Sequence, residues 1–343
     1  MHQLRSQSGC HVAAVASYLP SGRLDNDELA RRFPEWSAED ILRKTGIATR
    51  AIAGPDECAS DLGLAAAEVL FDRGDLRRDE VDALIFCSQS PDYLLPTTAC
   101  LLQARLGLSD RVMALDLPLG CSGFVHALSL AQGLLATGQA HCILVVTADT
   151  YTRLLDPADR SVMPIFGDAG AATLVRGGAS TAGPSGLGPF VFGSDGGGAS
   201  SLIVEGGGAR HPDRPPQLYM DGPRVFEFCL KRVPEIVQRL LERSEIDLEQ
   251  VDLWVFHQAN RFMLERLRKK IGIAEDRFVY RLKEVGNTVS ATIPLALESA
   301  LVDGRLQPGM RVGIVGFGVG LSWGAGLLRW PEAGEVLGGS DDV

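Results

Sequence analysis

The chain has 343 residues, 45% of them hydrophobic and 22% charged, with a net charge of −10, which fits a globular protein about two domain-sized units long. That charge argues against a general binder of nucleic acid or of anionic membranes. The absence of a long apolar run or a signal-peptide core in MHQLRSQSG makes the reading cytoplasmic. Seven cysteines, an odd number without Cys-x-x-Cys spacing, argue against a disulfide framework and against a zinc site.

In chain order, Leu70 to Asp82 (LFDRGDLRRDEVD) reads as a helix end, a turn and an acidic linker into the strand Ala83 to Gln89 (ALIFCSQ). A second strand, Val112 to Leu117, breaks at Pro118-Leu119-Gly120-Cys121-Ser122-Gly123 into an apolar helix, Phe124 to Ala136. A cysteine there serves either as a small buried hydrophobe or as a nucleophile. Gly120 and Gly123 favour the second, because they permit a sharp turn and close backbone approach. The helix N-terminus is expected to stabilise the thiolate. Ile143 begins a further strand, Gly177 to Gly188 reads as a seam, and Gly206 to Pro216 as an exposed loop.

The second half repeats the first. Leu240 to Asp252 (LLERSEIDLEQVD) leads into the strand LWVFHQA, a displacement of 170 residues from Ala83 to Leu253, and Ile143 to Gly313 keeps it. The turn at Asn287 loosely matches the turn at Cys121. Three pairs in one order point to duplication. The expected halves are 8–183 and 184–331, with an acidic tail over 332–343. Each half alternates helices with buried strands, which predicts an α/β fold of parallel sheets covered by helices. The helices Phe124 to Ala136 and Ile293 to Val302 are apolar on nearly all sides and belong in a central layer between two sheets.

His257 follows a buried strand, where open parallel sheets bind ligands, at the repeat position of Cys87 and Ser88. Asn287, between Gly286 and Thr288, reads either as a helix cap or as the partner of the Cys121 turn. Gly316-Phe317-Gly318-Val319-Gly320 ends a further strand. It reads as a tight turn or as a backbone N–H aimed at an oxyanion. The run Arg261 to Lys270 (RFMLERLRKK) concentrates basic charge beside His257.

Taken together, Lys44-Thr45-Gly46-Ile47, Pro96-Thr97-Thr98-Ala99-Cys100, Gly120-Cys121-Ser122-Gly123, Phe166-Gly167-Asp168-Ala169-Gly170-Ala171, His257-Gln258-Ala259-Asn260, Gly286-Asn287-Thr288 and Ser322-Trp323-Gly324 resemble the ketoacyl-ACP synthase III family of the thiolase superfamily, over about Ala13 to Trp330. The resemblance implies the five-layer α-β-α-β-α thiolase fold, a homodimer, and a triad falling on Cys121, His257 and Asn287. It also implies decarboxylative Claisen condensation of an acyl-CoA starter with a malonyl thioester, in fatty-acid or polyketide-type biosynthesis. In that reading Cys121 carries the acyl group, and His257 and Asn287 donate to the enolate, the histidine as a neutral imidazole. The N–H groups of Cys121 and Val319 form the oxyanion hole, Phe317 keeps the triad dry, and Lys44 and Asn260 contact CoA. No metal or permanently bound cofactor is implied.

Departures from the family pattern are informative. The usual glycine triplet is Gly318-Val319-Gly320, and because a valine resists positive φ the oxyanion turn is expected either to differ slightly or to be held under strain. Lys44 replaces an arginine and loses its fork. Leu95 replaces a large aromatic that closes the partner subunit's acyl pocket, which predicts a pocket accepting more than acetyl. Arg261, Arg268, Lys269 and Lys270 form a docking patch for an acidic acyl carrier protein. The rival reading is a same-fold acyltransferase that moves the acyl group to a hydroxyl or amine without decarboxylation. A biosynthetic thiolase is disfavoured because no cysteine follows Cys229.

Overall fold

The computed structural model describes residues 9–178 and 186–331. Most of the expected seam at Gly177–Gly188, and the tail over 332–343, lie outside the described residues. The first half contributes β1 (Cys10–Tyr18), β2 (Gly22–Asp25), α1 (Asn26–Arg32), α2 (Ala38–Thr45), β3 (Thr49–Ile52), α3 (Ala59–Asp72), β4 (Ala83–Cys87), α4 (Thr98–Arg105), β5 (Met113–Leu117), α5 (Gly123–Ala136), β6 (Cys142–Asp149) and β7 (Ala169–Gly177). The second contributes β8 (Leu187–Ser194), β9 (Leu202–Val204), β10 (Leu218–Met220), α6 (Gly222–Ser244), β11 (Leu253–Phe256), α7 (Arg261–Ile271), α8 (Thr292–Val302), β12 (Arg311–Gly318) and β13 (Ser322–Arg329).

Two sheets organise these elements. One has the order β1-β7-β6-β4-β5 and the other β11-β12-β13-β8. Strands joined through helices, β4 with β5 and β6, and β11 with β12, pair in parallel. The sheets are nevertheless mixed, not wholly parallel as the sequence suggested. β13 runs antiparallel to β12 because only Val319–Leu321 connects them, too short a link for a crossover.

Layering follows from apolarity. α5 is buried along most of its length and packs on β4 and β6 on one side and on β8 and β12 on the other. α8 packs on β1, β7 and β11. Such helices have no polar face to give to water, so they sit between the sheets. α3 and α4 cover the outer face of the first sheet and α6 that of the second, with α7 beside it. The result is the five-layer arrangement of the thiolase fold. Each fully buried leucine, valine or phenylalanine in the central layer contributes roughly 1.5–3 kcal/mol.

The repeat is visible in register. Ala83 pairs with Ile143, whereas Leu253 pairs with Val312, one residue short of the 170-residue displacement. α8 likewise starts one residue early relative to α5. Both halves therefore bring a strand end and a helix start to one central place. Among the described residues, no helix is long and apolar enough to cross a membrane.

Candidate active site

Where the two halves meet, a cavity of about 470 Å³ is lined by Cys121, His257, Asn287, Phe317 and Gly318, with Tyr151, Phe166, Leu202, Met220, Val225 and Cys229 around them. Cys121 comes from the turn between β5 and α5, His257 from the end of β11, and Asn287 from the segment before α8.

The turn at Cys121 depends on close backbone approach. A Cβ on Gly123 would lie 2.3 Å from Cys87 Sγ, and one on Gly318 would lie 3.0 Å from Cys121 Sγ. Neither position has room for a side chain. Ser122 precedes the first residue of α5 and makes no capping bond with its side chain. Its hydroxyl instead lies 2.7 Å from Ser322 Oγ, which donates to Val319 O at 2.8 Å. This chain of hydroxyls ties the Cys121 turn to the hairpin carrying Val319. Val319 itself is not at positive φ. Among the described residues only Glu245 and Val289 are non-glycine residues at positive φ, Val289 at 52°. A β-branched residue at positive φ occurs instead in the Asn287 turn, where Val289 in this region costs of order 1–3 kcal/mol.

Electrostatics correct a second expectation. Cys121 is 8% exposed, and burial pushes its thiol up to about 12, with the negative charge of Asp149 adding to the shift. A backbone N–H pulls the other way and does not prevail. Cys121 thus rests as a thiol, not as the preformed thiolate suggested by its place before a helix.

His257 lines the same cavity. It is 2% exposed, and burial holds it down at about 3, so the ring is neutral. Nδ1 lies 2.7 Å from Thr292 Oγ1, whose own proton goes to Val289 O at 3.0 Å. Thr292 therefore accepts, Nδ1 carries the hydrogen, and Nε2 keeps its lone pair. Phe317 stands edge-on to the imidazole, ring centroids 5.5 Å apart at 85°. The Asn287 amide is oriented by its own turn. Val289 N–H donates to Oδ1 at 3.0 Å, which leaves the NH₂ group as a donor.

Asp149, which sequence reading missed, is buried beneath this turn. It accepts from Gln89 N–H (2.8 Å), Ser290 N–H (3.1 Å), the Ser290 hydroxyl (2.5 Å) and the Ser88 hydroxyl (3.2 Å). Burial still raises its pKa to about 6. A lone acid ending the apolar strand ILVVTAD was the available signal. Thr292 had none, because it lies 35 residues from its partner in sequence.

The remaining candidates divide. Asn260 lines the cavity and caps α7, accepting from Met263 N–H at 2.8 Å. Lys44 is exposed outside the cavity lining, its ammonium 4.3 Å from the centroid of the Trp36 ring. Leu95 is 85% exposed and does not line the cavity of its own chain. In the basic run, Lys269 and Lys270 are exposed. Arg261 is held by Glu265 and lies over Tyr280. Arg268 is turned inward, donating to Ile273 O and Tyr280 Oη and paired with Glu265, so it contributes little to a docking surface. No cluster of three or more metal-ligating side chains occurs among the described residues.

Comparison with known proteins agrees with this architecture. Residues 115–196 match the family described as 3-oxoacyl-[acyl-carrier-protein (ACP)] synthase III, and residues 241–330 match its C-terminal part. The chain is 41% identical over 333 residues to a beta-ketoacyl-[acyl-carrier-protein] synthase III of Streptomyces coelicolor, covering 95% of this chain and 98% of that one. A crystal structure of a 3-oxoacyl-(acyl-carrier-protein) synthase III superposes with TM-score 0.92 at 47% identity, over 94% of this chain and all of that one. The priming β-ketosynthase of the R1128 polyketide pathway superposes with TM-score 0.89 at 29% identity, over 96% and 99% of the two chains.

Proposed function

The chain belongs to the 3-oxoacyl-[acyl-carrier-protein] synthase III family of condensing acyltransferases, and from that premise we propose that Cys121, His257 and Asn287 carry its chemistry. The observation that carries the proposal is their convergence in one cavity from three distant segments.

In the first half-reaction His257 Nε2 takes the proton of the Cys121 thiol as the sulfur attacks the carbonyl of an acyl-CoA. The tetrahedral oxyanion is held by the N–H groups of Cys121 and Val319. The intermediate collapses to an acyl thioester on Cys121, and the proton leaves with the CoA thiol. The low pKa of the buried imidazole favours that return, since an imidazolium in this cavity is poorly solvated.

In the second half-reaction the C–C bond to the carboxylate of a malonyl thioester on acyl carrier protein breaks and carbon dioxide departs. The enolate left behind attacks the acyl carbonyl. Asn287 is the donor that needs no change of protonation, because its NH₂ is already turned free. His257 donates to the enolate only with a hydrogen on Nε2, which requires the Thr292 hydroxyl to rotate and donate to Nδ1. The Cys121 thiolate is expelled and takes up one proton, restoring the thiol.

Acyl transfer to a hydroxyl or amine is the second reading. It needs no enolate donor, so the pre-oriented Asn287 amide favours condensation. Lys44 and Asn260 are assigned to CoA, Lys269 and Lys270 to the carrier protein, and Leu95 to the acyl pocket of a partner subunit in a homodimer. Intact-protein mass spectrometry after incubation with acyl-CoAs tests the premise. A single acyl mass on the wild type that is absent from Cys121→Ala supports it, and an equal mass on both proteins removes it.

A further inference from the structure

Tyr151 is a polar cavity residue that this mechanism leaves unused, as are Ser161, Tyr219 and Asp221 on the same lining. It follows β6 directly, is 4% exposed, and tilts against Phe166 with ring centroids 5.1 Å apart. The phenol is near enough to the nucleophile for the charges of Cys121 and Asp149 to raise its pKa further above the value set by burial. Among the described residues its hydroxyl makes no hydrogen bond, and it is not one of the polar atoms sealed from solvent, so it faces the cavity. Leu202, Met220 and Val225 add apolar surface to the same cavity.

A buried hydroxyl without a partner is tolerable while water fills the cavity. An alkyl acyl group on Cys121 displaces that water and leaves the hydroxyl unpaired, whereas a group with its own hydroxyl or oxo oxygen replaces the lost bond. A carboxylate would be desolvated here and repelled by Asp149, so the partner is a neutral oxygen. We infer that Tyr151 selects starter acyl groups carrying a neutral hydroxyl or oxo substituent near the thioester over alkyl groups of the same size. This rests on Cys121 being the acyl carrier.

The test uses isosteric pairs, 3-hydroxybutyryl-CoA with isovaleryl-CoA and 4-hydroxybutyryl-CoA with valeryl-CoA. Second-order rates of Cys121 acylation are measured for the wild type and Tyr151→Phe. Wild type should favour the hydroxylated member of at least one pair, and Tyr151→Phe should shift that ratio by tenfold or more toward the alkyl member. A ratio unchanged within twofold for both pairs overturns the inference. So does an equal slowing of all four thioesters, which would give the phenol a role in the chemistry instead. Failure of the wild type to acylate with any thioester would instead remove the premise about Cys121, and the inference with it.

Discussion

His257 Nδ1 lies 2.7 Å from the hydroxyl of Thr292, and that contact, beside the Val289 carbonyl, fixes which ring nitrogen carries the hydrogen. Because the Thr292 proton is committed to Val289 O, the resting ring holds its hydrogen on Nδ1 and offers a lone pair from Nε2. Thr292→Val keeps the shape and removes the acceptor. Acylation of Cys121 should slow by about ten- to a hundredfold, as expected for a lost orienting hydrogen bond of 1–3 kcal/mol, while Thr292→Ser retains most of the rate. Single-turnover release of CoA measures it; wild-type rates in the valine variant would assign the orientation elsewhere.

Asn287 should separate the two half-reactions. Asn287→Asp keeps an oxygen for Val289 N–H and removes the NH₂ donor. The variant should still accept an acyl group from CoA, while carbon dioxide release from a malonyl thioester falls by about 10²–10³. Parallel loss of both steps would mean that Asn287 serves the acylation site as a whole.

Asp149 gives a pH dependence of definite sign. Its folded pKa of about 6 lies above the unfolded value of about 3.9. The native state therefore binds more protons between roughly pH 4 and 6, and this group's contribution to stability is present below that window and lost as pH rises through it. The stability of the wild type relative to Asp149→Asn should drop by on the order of 2–3 kcal/mol across the window. Urea unfolding at several pH values measures it, and a constant difference would contradict the burial of a charge there. Since the same charge disfavours the Cys121 thiolate, Asp149→Asn should also alkylate faster with iodoacetamide at pH 8.

The exposed lysines Lys269 and Lys270 carry the partner prediction. Their double reversal to Glu should raise the Michaelis constant for a carrier-bound malonyl substrate and leave the reaction of a small thioester unchanged. Equal effects on both substrates would sink the docking assignment. Arg268 makes a useful contrast, because its interior bonds predict a loss of stability on substitution.

How far the sequence reached depended on the range of the interactions. That Cys121, His257 and Asn287 would meet was legible because each ends a buried strand or precedes a buried helix, and the repeat aligned the turns that carry them. The layering was legible from α5 and α8, which have no polar face. The antiparallel partner strands were not, because their direction depends on short connections such as Val319–Leu321 and leaves no mark in the apolar pattern. The protonation of the site was misread for a similar reason. A helix start is local and visible, while the burial of Cys121 and the charge of Asp149 arise only when both halves close. Thr292 meets His257 and Tyr151 meets Phe166 across a separation in sequence, so nothing near either residue marked it out.

The central claim is that an acyl group on Cys121 is consumed by a decarboxylating condensation. The most direct measurement loads the enzyme with one acyl equivalent, removes free CoA, and adds a malonyl thioester labelled in its free carboxylate. One labelled carbon dioxide should appear for each acyl group lost from Cys121, together with one 3-oxoacyl thioester. Loss of the acyl group without carbon dioxide would contradict the account and assign the chain to simple acyl transfer.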